Sequence, residues 1–230
     1  MALLESKVLE QFFDEIAPNY QFMNGLLSLH LDKYWRHRLL KECTLDSGEM
    51  ILDVACGTGD ILTMMRKKSS KSTLLGLDIS HKMLHQARLN DSGLTLLRGN
   101  GIQTPFKNST FDGITIAFGF RNMPDHREFL KESFRILKPG GKLLILELTQ
   151  PENKIFRVLN QAYQRTLLPL ISNLFARNKK AYEYLADSID AFPHQIHIRK
   201  MMMEEGFNKS EYQLLNLGIV TLFCGIKLSE

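Results

Sequence analysis

Ile51-Leu-Asp-Val-Ala-Cys-Gly-Thr-Gly59 joins a short apolar run to a glycine-rich turn. Asp60 follows directly, and Asp78 closes the next apolar run 19 residues beyond Gly59. This pattern suits the holding of a nucleoside. Gly57 and Gly59 let backbone amides come close to a ligand, and an acid at the end of the second strand accepts hydrogen bonds from ribose hydroxyls. Leu62 stands where G-x-G-x-x-G has its third glycine, which allows close helix packing beneath a pyrophosphate, so a ligand without a pyrophosphate fits better. Asp53, inside the strand end, adds a carboxylate able to fix the turn and to offset a cationic ligand. S-adenosylmethionine meets both conditions.

The elements that must position these residues alternate. Residues 50–55, 74–78, 94–98, 114–118 and 142–148 read as strands. Helices are expected at 59–68, at 81–90 behind a Ser80 cap, and at 126–137, the last stopped by Lys138-Pro-Gly-Gly141. This alternation predicts a doubly wound α/β fold with a mostly parallel sheet. After a helix near 195–205, strands 211–215 and 219–226 are separated by a short Asn-Leu-Gly turn that only an antiparallel hairpin can use. The expected sheet has seven strands. A single domain over 1–230 is expected, with an N-terminal helical cover (1–45), a cofactor-binding core (46–149), a helical insertion capping the substrate (150–193), and a terminal helix and hairpin (194–230).

Composition narrows the class. With 230 residues and 44% hydrophobic content the chain can bury a full core. No apolar run reaches the roughly 18 residues a bilayer span needs, and the N-terminus does not read as a secretory signal, so a cytoplasmic location is expected. Cys43, Cys56 and Cys224 are scattered and odd in number, which favours reduced thiols over disulfides or a zinc site. His81 and His85 are spaced i, i+4 without a third ligand, so no metal is expected. The net charge of +4 is partly concentrated in Lys154, Arg157, Arg165, Arg177, Lys179 and Lys180.

Several motifs carry a resemblance. Asp53-Val-Ala-Cys-Gly-Thr-Gly-Asp60, Asp78-Ile-Ser with Met83-Leu84, the Leu137-Lys-Pro-Gly-Gly141 turn and the terminal hairpin resemble class I S-adenosylmethionine-dependent methyltransferases. Ile116-Ala-Phe-Gly-Phe-Arg-Asn122, Tyr182-Glu-Tyr-Leu-Ala-Asp-Ser-Ile-Asp-Ala-Phe-Pro193 and Met201-Met-Met-Glu-Glu-Gly-Phe207 are similar to the menaquinone/ubiquinone biosynthesis C-methyltransferases, in particular the members that methylate demethylmenaquinol. So are Tyr20, Met23-Asn24, Ser28 and Trp35. The resemblance implies cofactor contacts at Thr58, Asp78, Asn100 and Gly101. It implies a further one at Ala117, where the family commonly has serine. The family usually has aspartate at Gln21, and glycine, histidine and arginine at His30, Asp32 and Lys33; its terminal hairpin is about two residues longer.

The implied reaction is metal-free transfer of the sulfonium methyl to a ring carbon of a reduced quinone, demethylmenaquinol or, as the alternative, a ubiquinone precursor. A quinol hydroxyl titrates near tyrosine, about pH 10, so an oxyanion partner and a base would raise the carbon's nucleophilicity. Arg121 is the candidate oxyanion partner; Asp32, His30 and Tyr20 are candidates to take or relay the proton. The apolar Leu167-Leu-Pro-Leu-Ile171 and Leu174-Phe175, set among basic residues, suit contact with the inner face of an anionic membrane that supplies a polyprenylated quinol; they suit a homodimer interface or simple packing against the sheet equally. An RNA or protein methyltransferase is a further alternative that the basic pI favours weakly, although the polar-Pro-Pro-aromatic signature is absent after strand four and no nucleic-acid partner is expected. A non-catalytic cofactor-binding protein is another.

Overall fold

The computed structural model describes residues 6–45, 48–167 and 179–228. Its sheet comprises β1 (Met50–Val54), β2 (Thr73–Asp78), β3 (Thr95–Arg98), β4 (Phe111–Ala117), β5 (Leu137–Leu148), β6 (Lys209–Leu215) and β7 (Val220–Ile226), in the order β3-β2-β1-β4-β5-β7-β6. The pairs through β5 are parallel, whereas β7 is antiparallel to both neighbours, as the hairpin reading requires. The helices are α1 (Ser6–Ile16), α2 (Tyr20–Leu27), α3 (Leu31–Glu42), α4 (Asp60–Lys68), α5 (His81–Asn90), α6 (His126–Ile136), α7 (Lys154–Ala162), α8 (Lys179–Ala191) and α9 (Gln195–Glu204).

Alternation along β1 divides the core. Leu52 and Val54 face a layer containing Phe129 and Leu130 of α6 and Ile198 and Met202 of α9, while Ile51 faces Trp35 and Leu39 of α3 and Ile61 and Met65 of α4. Full burial of a side chain such as Leu39 or Met65 contributes about 1.5–3 kcal/mol relative to exposure. Caps fix the helix starts: the Ser80 hydroxyl accepts from the Met83 amide, and the Asp125 carboxylate accepts from the amides of Arg127 and Glu128.

One junction differs from the sequence reading. The chain leaves α6 directly into β5 at Leu137, which pairs with Phe111; the next pair is Gly113 with Lys142, so Lys138–Gly141 bulge from the strand rather than precede it. The edge of β4 offers ladder partners at once, and a Pro-Gly-Gly run can bulge without surrendering an amide the ladder needs. At the hairpin, Asn216, Leu217 and Gly218 are all left-handed (φ 45, 60 and 89°). The Asn216 amide oxygen accepts from the Trp35 indole at 2.7 Å, tying the turn to α3.

The N-terminal helices dock by polar anchors as well as apolar contacts. Glu10 pairs with Arg98, and Asp14 accepts from the Ser80 hydroxyl and the Lys82 amide at the start of α5. No helix among the described residues is long and apolar enough to cross a membrane. Of the run 167–171 and Leu174-Phe175, residues 168–178 lie outside the described residues, as does Arg177.

Candidate functional site

Five strand ends converge on one edge of the sheet: the glycine turn after β1, Asp78 ending β2, Asn100 beyond β3, Ala117 to Arg121 at and after β4, and Glu147 near the end of β5. Parallel sheets bind ligands there because the carboxyl ends diverge at the switch in strand order, here between β1 and β4. A cavity at this edge is lined by Gly57, Asp78, Asn100, Gly101, Ala117 and Phe118, and is roofed by Leu9, Phe13 and Tyr20 of the N-terminal segment.

Gly57 has φ +53°, and the nearest atom to a Cβ built there is Tyr20 Cε1 at 3.9 Å, so a side chain at Gly57 would project into the cavity. Asp78 is buried; its two carboxylate oxygens accept from the Gly57 and Ser80 amides, each at 2.8 Å, and keep lone pairs for further donors such as vicinal hydroxyls. Burial pushes its carboxyl up to about 6 against the opposing amides of Ser80, Gly57 and Ile79. The Asn100 side-chain oxygen accepts from the Ile102 amide at 3.1 Å, which fixes the side chain and leaves its NH₂ to read a base edge. Turn, acid and amide together fit an adenosyl cofactor lacking a pyrophosphate.

Three residues of the turn region have close partners within the scaffold. Gly59 (φ +79°) needs to be glycine because a Cβ would lie 2.6 Å from Leu94 Cδ1 and 3.2 Å from Ala87 Cβ; packing against α5 and the start of β3, rather than ligand space, excludes a side chain. Thr58 is buried outside the cavity lining, with its hydroxyl donating to Asp60 at 3.1 Å. Asp53 likewise lies away from the cavity, where it accepts from Thr115 on β4 at 2.6 Å instead of fixing the turn. Burial raises the Asp53 carboxyl to about 7, with the Thr115 bond and Arg36 pulling the other way.

A second cavity abuts the first and is lined by Tyr20, Ser28, Asp32, Trp35, Arg36, Phe118, Arg121, Tyr163, Leu185 and Ile189, among others. Asp32 is the only carboxylate among its described lining residues; it accepts from the Ser28 hydroxyl at 3.0 Å and pairs with Arg36 one turn on. His30 is exposed in a left-handed conformation with its ring over Gly25, so it belongs to neither lining. Arg121 reaches the cavity but is closely held. Its guanidinium donates to Glu147 at 2.7 Å, to the Phe118 carbonyl at 2.6 Å and to Ser188 at 3.3 Å, and the Glu147 carboxylate also accepts from the Arg121 amide at 2.9 Å. The adjacent Asn122 accepts from Tyr184 at 2.9 Å, so α8 is tied to the strand-four loop through two side chains.

Glu147, Arg36 and Phe118 are the residues the sequence reading missed. An acid inside Leu143-Leu-Ile-Leu-Glu-Leu148 was a usable signal, since such a carboxylate survives burial only when paired. Arg36 carried no such signal; its place, at 5.2 Å over the Phe118 ring, is set by the packing of α3.

Comparison with known proteins agrees with this geometry. A ubiE/COQ5 methyltransferase family model matches residues 1–227. The chain is 37% identical to the ubiquinone/menaquinone biosynthesis C-methyltransferase UbiE of Geotalea daltonii, over 95% of this chain and 96% of that protein. It is 36% identical to the demethylmenaquinone methyltransferase of Thermus thermophilus, over 93% and 98%. Among solved structures, a SAM-dependent methyltransferase of Thermotoga maritima superposes with a TM-score of 0.69 at 17% identity, covering 94% of this chain and 99% of that one. A Haemonchus contortus phosphoethanolamine N-methyltransferase in complex with S-adenosyl-L-methionine gives 0.63 at 15%, covering 84% and 52%. These two likenesses establish the fold. With a cleft at the strand ends, a second cavity against it and a family model spanning nearly every residue, the chain belongs to the ubiE/COQ5 methyltransferase family.

Proposed function

We propose that this protein methylates a ring carbon of demethylmenaquinol, with Asp78, Asn100, Gly101 and the Gly57 turn holding S-adenosylmethionine and the second cavity holding the quinol. The cofactor supplies an electrophilic methyl on a cationic sulfonium. The protein's own work is to align the two reactants, exclude water and manage one proton. Asp32, in its Ser28 and Arg36 bonds, accepts the hydroxyl proton; the Arg121 and Arg36 guanidinia offset the charge left on the ring oxygen. Once the carbon–carbon bond has formed, the hydrogen of the methylated carbon leaves as a proton, the ring regains its aromaticity and the oxygen takes back the proton Asp32 held, so one proton is released overall. His30 lines neither cavity, which favours Asp32 over it as the base.

The observation that carries this reading is an acid-and-arginine-lined cavity sharing a wall with the cofactor cavity. Leu27, Leu148, Leu185, Ile189 and Ile219 also line it and suit an apolar ring bearing a prenyl tail. Peripheral contact with an anionic membrane is supported by α7, whose Ile155, Val158 and Leu159 are 70, 64 and 60% exposed beside the exposed Lys154. Methyl transfer from labelled S-adenosylmethionine to demethylmenaquinol, a ubiquinone precursor and bulk RNA tests the proposal. Label entering only the first quinol supports it, and label entering RNA alone overturns it.

A further inference from the structure

Tyr20 and Phe118 line both cavities, and no other described residue does. A methyl group passing in line from donor to acceptor must cross the boundary between the two cavities, and the two residues the linings share there are both aromatic. Both rings are held in place. Phe118 sits at φ +61°, a conformation that a bulky non-glycine residue adopts only where its surroundings force it, and such residues concentrate at functional sites. Its amide donates to the Leu146 carbonyl at 2.7 Å, its carbonyl accepts from Arg121 at 2.6 Å, and its ring packs edge-on against Trp35 with centroids 6.0 Å apart. Tyr20 opens α2; its Cε1 stands 3.9 Å from where a Gly57 side chain would begin, and its ring meets Phe13 edge-on at 6.4 Å.

We propose that Tyr20 and Phe118 form an aromatic collar that recognises the positive charge of the methyl donor and so discriminates S-adenosylmethionine from its neutral demethylated product. An aromatic face attracts a cation through its quadrupole, and the attraction strengthens where water is excluded. When the methyl leaves, the sulfur becomes a neutral thioether and the attraction is lost, while the contacts to ribose and adenine persist. The collar thereby favours exchange of spent cofactor for fresh. Arg36 already lies 5.2 Å from the Phe118 centroid, but Asp32 and Asp60 offset its charge, and a ring has a second face. The acids near the boundary, Asp32 and Asp78, act over longer range and remain in ring-deleted variants, so they do not mask the effect.

This inference rests on the cofactor assignment, and the experiment separates the two. Calorimetric dissociation constants for S-adenosylmethionine and S-adenosylhomocysteine are measured on the full-length chain and on Tyr20→Leu, Tyr20→Phe and Phe118→Leu. Leucine at 118 meets the same backbone strain as phenylalanine, and leucine at 20 is a better helix former than tyrosine. If either leucine variant fails to fold, the other reads the same quantity. Tyr20→Leu and Phe118→Leu are each expected to shift the ratio of the two constants toward the homocysteine ligand by roughly 5–30-fold, the effect of losing a desolvated cation–π contact. Tyr20→Phe, which keeps the ring and removes the hydroxyl, is expected to hold the ratio within about twofold. Equal weakening of both ligands by the leucine variants would reduce the rings to packing and overturn the proposal. A ratio shifted as much by Tyr20→Phe would overturn it for Tyr20 by assigning discrimination to the hydroxyl. Failure of the unsubstituted chain to bind either ligand would instead remove the cofactor assignment.

Discussion

Replacing Arg121 with methionine separates what this residue does for the fold from what it does for the reaction. Glu147 is fully buried, and the 2.7 Å contact with Arg121 supplies its positive partner. Removing one member of a buried ion pair typically costs about 3–5 kcal/mol, because the remaining charge keeps its desolvation penalty. Here Glu147 retains amide donors from residue 121 and from Leu148, at 2.9 and 2.8 Å, which places the expected loss near the lower end, about 3 kcal/mol. For a chain of this size that corresponds to a fall in Tm of about 6–12 °C. Urea unfolding of Arg121→Met, Glu147→Gln and the double variant forms a cycle; the double variant buries no charge at this place and should recover at least about 1 kcal/mol of the summed losses. A single-variant loss below about 1 kcal/mol, or strictly additive losses, would refute the buried-pair reasoning. In the folded variant, methyl transfer should fall roughly 10²–10³-fold with cofactor affinity nearly unchanged, and the deficit should shrink as pH approaches the quinol pKa. Equal losses in rate and cofactor affinity would confine Arg121 to positioning the strand-four loop.

Asp78→Ala should weaken S-adenosylmethionine binding by about 1–3 kcal/mol by calorimetry, since the ribose hydroxyls lose a charged acceptor; unchanged affinity would remove Asp78 from the site. Asp32→Asn should lower the rate by about 10²–10⁴-fold at constant cofactor affinity, and a rate within fivefold of the parent would assign the proton to another group. The pH dependence of stability should carry the mark of Asp53. Burial raises its carboxyl from 3.8 to about 7, so the folded protein holds this proton more tightly than the unfolded chain does. Its contribution is therefore fully present below about pH 4 and lost as pH rises toward 7, amounting to about 2–3 kcal/mol between pH 5 and pH 8. Asp53→Asn keeps an oxygen to accept from Thr115 and should flatten that slope in paired urea titrations, whereas parallel curves would show that Asp53 titrates normally.

Much of the architecture was legible in the residues because it is written in local rules. The apolar runs, the Ser80 cap and a hairpin turn too short for parallel strands each depend on neighbours within a few positions, and together they imply a parallel sheet with an antiparallel end. The glycine turn and Asp78 were legible for the same reason: a strand, a turn and a strand end place both at one edge, and Asp78 accepts from the Gly57 amide. What tertiary structure decided is where side chains point once elements distant in sequence pack. Gly59 is excluded from carrying a side chain by Leu94 and Ala87 on other elements, and Asp53 turns to Thr115 on β4 because alternate residues of a strand face opposite layers. His30 and Asp32 are two residues apart, yet the left-handed start of α3 leaves one exposed and turns the other into the cavity. Arg121 finds Glu147 only because β4 and β5 lie side by side; a buried charge takes its partner from whatever the fold brings within reach, and spacing along the chain does not specify that partner.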